Sequence, residues 1–448
     1  MTSNSLVGKD WYLANFEKFE KSLNGESQST LHSIRRQAIG RFSELGFPTT
    51  RNEEWKYTDV SPITKFQFKP VLHYSADGVS RKDIEGFRLG VQNSHLLVCI
   101  NGHFSRDLSS IGRLPGGVRA SGLADGIRGK ESSVDQYLAR HAKFEHDAFT
   151  ALSTAFMRDG AFVYVPEGVM VDIPIHIIFV STNQDSEFVS YPRSLVVAGK
   201  SSQVAFIESH VSLTEKPYLT NAVTEIVLGE NAVVEHDKVQ LESSNAFHVS
   251  TTHIYQQRSS NFASNAITFG GRLVRNNVIA VLDGEGAEAT LNGLYLGTGN
   301  QVIDNHTTID HARPHCPSHE LYKGILAGRS KGVFSGKIFV RKEAQKTDAK
   351  QTNKNLVLSD EASINTKPQL EIFADDVKCT HGATIGQLDD EAIFYLRSRG
   401  VRPEKARDIL IYAFASDVVD RIRIQEMRDK LQAMLHDRLE QSRAFQNK

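Results

Sequence analysis

The sequence predicts a mainly β protein whose core is a β-helix, or β-solenoid, with α-helical regions before and after it. The first observation is a unit that recurs between residues 161 and 386: an apolar run, a polar turn, and a second run that starts with a small residue. Segments 195–206, 226–235 and 280–290 resemble one another in this way, and 356–365 is a fourth example. A strand–turn–strand unit repeated over this length is typical of a solenoid. The pattern alone leaves a β-sandwich as the alternative.

The second observation is helical periodicity on both sides of this region. Residues 1–23 interleave aromatic and charged side chains in the manner of an amphipathic helix, and apolar residues recur at helical spacing in 31–45. Towards the other end of the chain, a helix that opens at Pro403 is expected to carry an apolar stripe. The members of this stripe are Leu410, Phe414 and Val418.

These patterns divide the chain into three parts. Residues 1–160 are predicted to form a helical and mixed region, residues 161–386 the β-helix, and residues 387–448 a C-terminal helical region. Within the first part, the run 95–100 (HLLVCI) is predicted to be a buried strand, and a helix is expected near 133–146.

Composition argues against several classes of function. The 448 residues contain 52 basic and 53 acidic side chains, and the net charge of −1 gives no electrostatic reason to expect nucleic acid or an anionic membrane as a partner. No apolar run reaches the roughly 18 residues of a transmembrane helix, no signal peptide is recognised, and no nucleotide-binding loop is found. Three cysteines suit a reducing compartment better than a disulfide framework. We therefore expect a soluble, cytoplasmic protein.

The stretch 375–386 (DDVKCTHGATIG) contains the strongest candidate for chemistry. Cys379 and His381 are two residues apart, so in an extended chain they project from the same face. A cysteine sulfur and a histidine nitrogen are both good ligands for iron, zinc or an iron–sulfur cluster. Two ligands make only half of a closed site, so the sequence predicts a ligand site whose other half lies elsewhere.

A second group of possible ligands falls within residues 306–319. The Cys-x-x-His spacing at the end of this segment could hold a metal ion, although the two nearby prolines make convergence of four ligands in one loop difficult. A polar loop and strand edge, in which histidine is ordinary, explains the same residues. The group consists of His306, His311, His315, Cys316 and His319.

At this point the residues resemble a known family. The stretch 365–386 (NTKPQLEIFADDVKCTHGATIG) closely resembles the SufB/SufD family of iron–sulfur cluster assembly proteins, and 393–400 (IFYLRSRG) fits the same family. The stretch 51–58 (RNEEWKYT) resembles the SufD branch in particular. The resemblance covers both ends of the chain and most of the β region, and the motif around Cys379 is long enough to be highly specific.

The resemblance implies a right-handed parallel β-helix flanked by helices, in agreement with the repeats. It also implies a SufD-like, non-catalytic scaffold subunit of the SUF complex, which builds and transfers nascent iron–sulfur clusters. The implied partners are SufB, which is similar in fold, and SufC, an ABC-type ATPase that docks on the C-terminal helical region. The stripe of Leu410, Phe414 and Val418 would then either bind SufC or pack on the solenoid.

The resemblance also places a transient iron–sulfur cluster at the interface with SufB and predicts no tightly bound cofactor in the isolated chain. It implies that His381 is a cluster ligand, with Cys379 beside it. Cys316 falls in a region where SufD-like chains can carry a cysteine. A half-complete ligand set in this chain fits a site that two subunits share.

Two other functions follow from the residues alone. One is a β-helix enzyme acting on polysaccharide, because that fold often hosts such enzymes. The other is a stand-alone zinc protein that uses residues 306–319. Because the ends and edges of a solenoid need covering, a homodimer of the isolated chain is also expected as an alternative to the complex with SufB.

Overall fold

The structure is a computed structural model that describes residues 8–23, 29–76 and 78–446. The first seven residues of the predicted N-terminal amphipathic helix lie outside this description, and the helix itself begins at Lys9. Helices come before and after a long series of strands, as the sequence predicts. The helices are α1 (Lys9–Lys21), α2 (Thr30–Leu45), α3 (Ser61–Thr64), α4 (Arg81–Glu85), α5 (Leu123–Arg128), α6 (Ser132–Tyr137), α7 (Ala148–Phe156), α8 (Asp390–Ser398), α9 (Pro403–Val419) and α10 (Gln425–Gln446).

The strands fall into a short N-terminal set and a long regular set. The first set is β1 (Lys69–Pro70), β2 (His95–Ile100), β3 (His103–Ser110), β4 (Arg119–Gly122), β5 (Gly160–Val165), β6 (Met170–Ser181) and β7 (Phe188–Ser190). The regular set is β8 (Arg193–Ala198), β9 (Gln203–Ser212), β10 (Tyr218–Leu228), β11 (Val233–Leu241), β12 (Ala246–Gln256), β13 (Asn261–Thr268), β14 (Leu273–Leu282), β15 (Glu288–Gly297), β16 (Val302–His311), β17 (Pro317–Leu326), β18 (Lys331–Val340), β19 (Asp348–Val357), β20 (Ser363–Ile372) and β21 (Lys378–Gly386).

These strands form a parallel β-helix, which confirms the predicted fold. Sheet A contains the even-numbered strands from β8 to β20, and sheet B contains the odd-numbered strands from β9 to β21, so the chain changes sheet after each strand. Neighbouring strands are parallel and in register: Val302 on β16 lies opposite Leu273 on β14 and Lys331 on β18. Because the side chains alternate between faces, one face of each sheet points into the lumen of the β-helix and the other faces outwards.

The repeated segments of the sequence are the turns that join the two sheets. The turns near Gly199 and Gly229 stack on each other, with the Gly229 N–H donating to the Ala198 carbonyl at 2.8 Å. A Cβ atom at Gly229 would lie 2.7 Å from the Lys200 nitrogen, so only glycine permits this close stacking. The fourth segment lies at the opposite corner, where the Ser359 hydroxyl donates to the Gly328 carbonyl at 2.7 Å. Its chain runs from sheet B to sheet A, whereas the other three run from A to B.

Three apolar layers stabilise this arrangement. The lumen is filled along much of its length by side chains from both sheets, while the outer face of sheet A packs against α1, α2 and α7. The outer face of sheet B packs against α9 and α10, whose Val418 and Leu431 are fully buried. Burying an aliphatic or aromatic side chain of this size contributes about 1.5–3 kcal/mol. Both helical regions are therefore packed onto the β-helix.

The two ends of the β-helix differ. At the N-terminal end, β3 pairs antiparallel with β2 and β4 pairs antiparallel with β5, so both sheets finish on a reversed strand. At the other end, β20 and β21 each have a paired strand on one side only within the described residues. Within the described residues β3 and β4 are also paired on one side only, but they are more buried than β20 and β21. The end formed by β20 and β21 is therefore the more exposed one, and it is called the open end below.

One element of the first part departs from the sequence prediction. The strand 95–100 is confirmed as β2, but the helix expected near 133–146 ends at Tyr137. The reason is the buried carboxylate of Glu225, which accepts backbone N–H groups of the following loop at 2.8–3.0 Å, including those of Ala139 and His141. The Arg193 guanidinium donates to the same carboxylate at 2.5 Å, so these loop N–H groups are satisfied without a helix.

Several buried histidines are held in their neutral form. Burial lowers the pKa of His176 to about 3, and the pKa values of His248, His253 and His311 to about 4. The pKa of an unfolded histidine lies near about 6.5. As the pH falls below about 6.5, the unfolded chain therefore binds protons that the folded chain does not.

Lowering the pH from about 7 to about 5 should reduce the free energy of unfolding, by up to about 1.4 kcal/mol per pH unit for each of these histidines. Urea denaturation at several pH values measures this slope. The substitution His311→Gln should make the slope shallower, whereas His319→Gln, at an exposed position, should leave it unchanged. Equal slopes for the two variants would contradict this account of the pH dependence.

Candidate ligand site at the open end of the β-helix

Strand β21 places Cys379 and His381 side by side, as their spacing predicts. In the parallel register, Cys379 lies opposite Ala349 on β19 and His381 lies opposite Gln351. Ala349 and Gln351 are buried, and the amide of Gln351 reaches across to Gly336 on sheet A, so this face of the strands points into the lumen. Cys379 and His381 therefore extend the inward-facing surface at the last turn of sheet B.

The two candidate ligands differ in exposure. The Cys379 side chain is half-buried against the apolar cluster of Ile338, Val340 and Ala344. Burial raises the pKa of its thiol, partly offset by a hydrogen bond from the backbone of Ala349. The ring of His381 is exposed, and within the described residues it makes no hydrogen bond.

Cys316 does not join this pair. It immediately precedes β17, two strands below β21, which separates the two strands by roughly 10 Å. Its side chain is fully buried in the core, where the sulfur donates to the carbonyl oxygens of Gly284 at 3.3 Å and Pro314 at 3.4 Å. This geometry is that of a packed structural cysteine.

The structure also disperses the histidines of residues 306–319. His306 points outwards from sheet A and pairs with Glu54, whereas His311 lies inside the lumen with its Nε2 atom 3.0 Å from the Ser318 hydroxyl. His315 occupies a turn with φ 60°, and His319 is exposed. Within residues 8–23, 29–76 and 78–446, no group of three or more histidine, cysteine or carboxylate side chains is arranged to hold a metal ion. The stand-alone zinc interpretation therefore gains no support from the structure.

The surroundings of the pair are exposed and partly apolar. Side chains on β20 and β21 are only partly covered, unlike those of the preceding turns. Phe373 is 60% exposed and Ile385 is 54% exposed. Exposed apolar side chains beside unpaired strand edges are typical of an interaction surface.

The C-terminal stripe is divided between the core and the surface. Val418 is fully buried against sheet B, and Phe414 is half-buried with the Lys323 ammonium 4.6 Å from its ring centroid. Leu410 is half-exposed and lines a groove between α8 and α9. Val418 and much of Phe414 therefore serve packing on the β-helix, and only the Leu410 end of the stripe reaches an open surface.

The structure adds two features to those that the sequence reasoning singled out. The first is the exposure of Phe394, at 71%, and Tyr395, at 55%, which lie on α8 beside Leu410 in the groove. The second is a pair of buried polar residues, Glu320 and Gln351, at inward positions below His381. The sequence contains a signal for this buried pair, because each of the two polar residues occupies a position that strand alternation assigns to the interior.

These observations define a parallel β-helix protein that presents a thiol and an imidazole at an open strand edge. Residues 179–414 match the family described as SUF system FeS cluster assembly, SufBD core domain, and residues 8–177 match the SufBD protein N-terminal region. The chain belongs to the SufBD family of iron–sulfur cluster assembly proteins. The sequence prediction of this family is confirmed.

Several relatives match over nearly their whole length. A SufBD family iron–sulfur cluster assembly protein of Synechocystis is 35% identical over 92% of this chain and 92% of its own. The iron–sulfur cluster assembly protein SufD of Escherichia coli is 29% identical over 92% of this chain and 95% of its own. A chloroplastic protein of Arabidopsis thaliana, ABCI7, is 30% identical over 92% of this chain and 88% of its own. The likeness to SufD proteins agrees with the branch that the sequence suggested.

Among the described residues, the helices lack the combination of length and apolar character that crossing a bilayer requires.

Native and unfolded chains should differ in cysteine labelling. Iodoacetamide should modify Cys379 first, because Cys99 and Cys316 are fully buried, and all three cysteines should react after unfolding. Because burial raises the pKa of Cys379, its labelling rate should continue to rise as the pH increases beyond about 8.5, where an ordinary cysteine titrates. Peptide mass spectrometry locates the label. Early modification of Cys316 would contradict the packing described above.

Proposed function

We propose that this chain is a non-catalytic, SufD-like scaffold subunit of a cytoplasmic SUF assembly complex. It acts with SufB and the ATPase SufC to build and transfer nascent iron–sulfur clusters. The observation that carries this proposal is a half-complete ligand set, Cys379 and His381, on an open strand edge. Membership of the SufBD family supports it, because the matching family is described by its role in cluster assembly.

The open end suits a partner of similar fold. Strands β20 and β21 present backbone donors and acceptors that another strand can pair with, and Phe373 and Ile385 offer apolar contacts beside them. Addition of strands to an exposed sheet edge is a common mode of protein recognition. A SufB chain seated here would bring its own side chains to Cys379 and His381 and complete the ligand set. In isolation, the same edge is expected to pair with a second copy of this chain.

The two residues are suited to unequal roles towards the cluster, which is the substrate of the complex. A neutral imidazole binds iron without losing a proton, whereas a cysteine must first be deprotonated. Burial raises the pKa of Cys379, which adds to the cost of that deprotonation. His381 is exposed on the inward-facing side of the last strand of sheet B. We therefore assign His381 as the ligand and Cys379 as its neighbour, and we assign no cluster contact to Cys316.

Replacing His381 with alanine should strongly lower cluster formation in the complex assembled with SufB and SufC, because a ligand that the partner cannot supply is lost. Iron and sulfide analysis, together with the visible absorption of the cluster, measures the yield. His319→Ala is the matched control, since it removes another exposed sheet-B histidine away from the open end. An unchanged yield in His381→Ala would refute the ligand assignment.

The groove between α8 and α9 is the proposed docking surface for SufC. Phe394 and Tyr395 are exposed on one wall, and Ile409 and Leu410 lie on the other. Aromatic side chains with this exposure are frequent anchors of protein interfaces. Since Val418 is buried against sheet B, the proposed surface keeps Leu410 and replaces the deeper members of the predicted stripe with the aromatic pair.

The double substitution Phe394→Ala, Tyr395→Ala should weaken binding of SufC by about 30-fold, which corresponds to the loss of about 2 kcal/mol at an interface anchor. Isothermal titration with purified SufC measures the affinity. Met170→Ala removes another exposed apolar side chain, 57% exposed and distant in sequence, and should leave the affinity unchanged. Wild-type affinity in the double variant would locate the SufC surface elsewhere.

A further inference from the structure

A column of polar residues lies directly beneath His381. In the parallel register of sheet B, His381 on β21 lies opposite Gln351 on β19, and Gln351 lies opposite Glu320 on β17. Residues in register on neighbouring parallel strands stand on the same face, about 4.8 Å apart along the hydrogen-bonding direction. The side chain of Gln351 is therefore the inward-facing neighbour of His381 in the preceding turn.

Gln351 and Glu320 form a buried pair with unused hydrogen-bonding capacity. Gln351 is 1% exposed and Glu320 is 3% exposed, and the Gln351 Nε2 atom donates to Glu320 Oε2 at 2.7 Å. Within the described residues, Gln351 Oε1 has no hydrogen-bond partner, whereas the Glu320 carboxyl group also interacts with the Thr307 hydroxyl. Leaving a buried polar atom unpaired usually costs about 1–3 kcal/mol, so such atoms require an explanation.

The opposite wall of the lumen is shaped around the Gln351 amide. A Cβ atom at Gly336 on β18 would lie 2.3 Å from Gln351 Nε2 and 2.7 Å from its Cδ atom. Glycine at this position therefore leaves the space that the amide occupies. The amide is fixed by the hydrogen bond to Glu320 and by this fit against sheet A.

We infer that Gln351 is a positioning residue for His381: when His381 binds a cluster, the Gln351 Oε1 atom accepts the ring N–H that does not face the cluster, and Glu320 holds the amide in that orientation. This inference rests on the proposed function of His381 as a ligand. Histidines that bind metal ions almost always donate their second ring N–H to an oxygen acceptor, which fixes the tautomer and the orientation of the ring. Gln351 Oε1 is a buried, unpaired acceptor at the position in register with His381.

The hydrogen bond between Gln351 and Glu320 does not depend on whether Glu320 is ionised. Burial raises the pKa of Glu320 to about 7, although its hydrogen bonds oppose this shift. Both the neutral and the charged carboxyl group can accept the amide N–H of Gln351. Glu320→Gln should therefore retain the arrangement, whereas Glu320→Leu should release the amide.

The test uses the complex assembled with SufB and SufC and measures cluster formation as a function of ferrous iron concentration. Gln351→Met keeps the length of the side chain and removes the acceptor. It should raise the iron concentration for half-maximal cluster formation by about tenfold, the lower end of the effect seen when such partners of metal-binding histidines are lost. Gly336→Ala should also raise this iron concentration, because the added methyl group displaces the amide. Glu320→Leu should raise it as well, whereas Glu320→Gln should leave it at the wild-type value.

Asn353→Leu is the matched control. Asn353 lies on the same strand, is also 1% exposed, and is in register with Ala383 instead of a ligand. A purely structural defect lowers the maximal yield in any of these variants without a specific shift in iron dependence. If Gln351→Met and Gly336→Ala raise the iron concentration for half-maximal cluster formation no more than Asn353→Leu does, while His381→Ala abolishes cluster formation, the positioning role is refuted and the proposed function stands. If His381→Ala has no effect, both are refuted.

Discussion

The structure depends on the backbone hydrogen bonds between successive turns of the β-helix. Each strand satisfies the edge of the strand before it and presents a new edge for the strand after it, in one parallel register from β8 to β21. The side chains are carried along by this ladder, so inward residues stack on inward residues through the whole series. Such a ladder does not close on itself, so the last strand at each of its two ends has an edge that is either covered or available to a partner.

The chain treats its two ends in opposite ways. Reversed and largely buried strands finish the sheets at the N-terminal end, whereas the side chains of β20 and β21 are exposed or only partly covered. Cys379 and His381 lie on the last strand of the exposed end. An exposed end of this kind offers both a surface for a partner and a position for ligands that the partner can share.

The sequence was sufficient for the fold because strand, turn and strand recur with clear alternation, and for Cys379 and His381 because their spacing has a simple meaning in an extended chain. It could not show that the fourth repeat turns at the opposite corner, since that depends on which sheet the chain is leaving. It also could not separate Val418 from Leu410, because both lie on one apolar stripe and only packing on sheet B buries the first. The prediction of a helix near 133–146 was wrong beyond Tyr137, because a carboxylate distant in sequence, that of Glu225, accepts the backbone N–H groups of the loop that follows.

Buried polar residues were similarly hidden from sequence reasoning. Glu320 and Gln351 are residue types that usually lie at the surface, so strand alternation alone hints at their inward position and the register establishes that they are neighbours. The same register explains why the histidines of 306–319 disperse: successive positions alternate between the lumen and the outer faces, so closeness in sequence does not bring them together.

The packing of α9 connects the helix that lines the proposed SufC groove to β17, the strand that carries Glu320. Lys323 on β17 donates to the Phe414 carbonyl at 3.0 Å and pairs with Asp417 at 2.7 Å, and it lies three positions along the same strand from Glu320. The helix that lines one wall of the groove is thus tied to β17 by a charged anchor. Lys323 and Glu320 lie on opposite faces of this one strand, so the helix packed outside sheet B and the polar column inside the lumen share a single structural element.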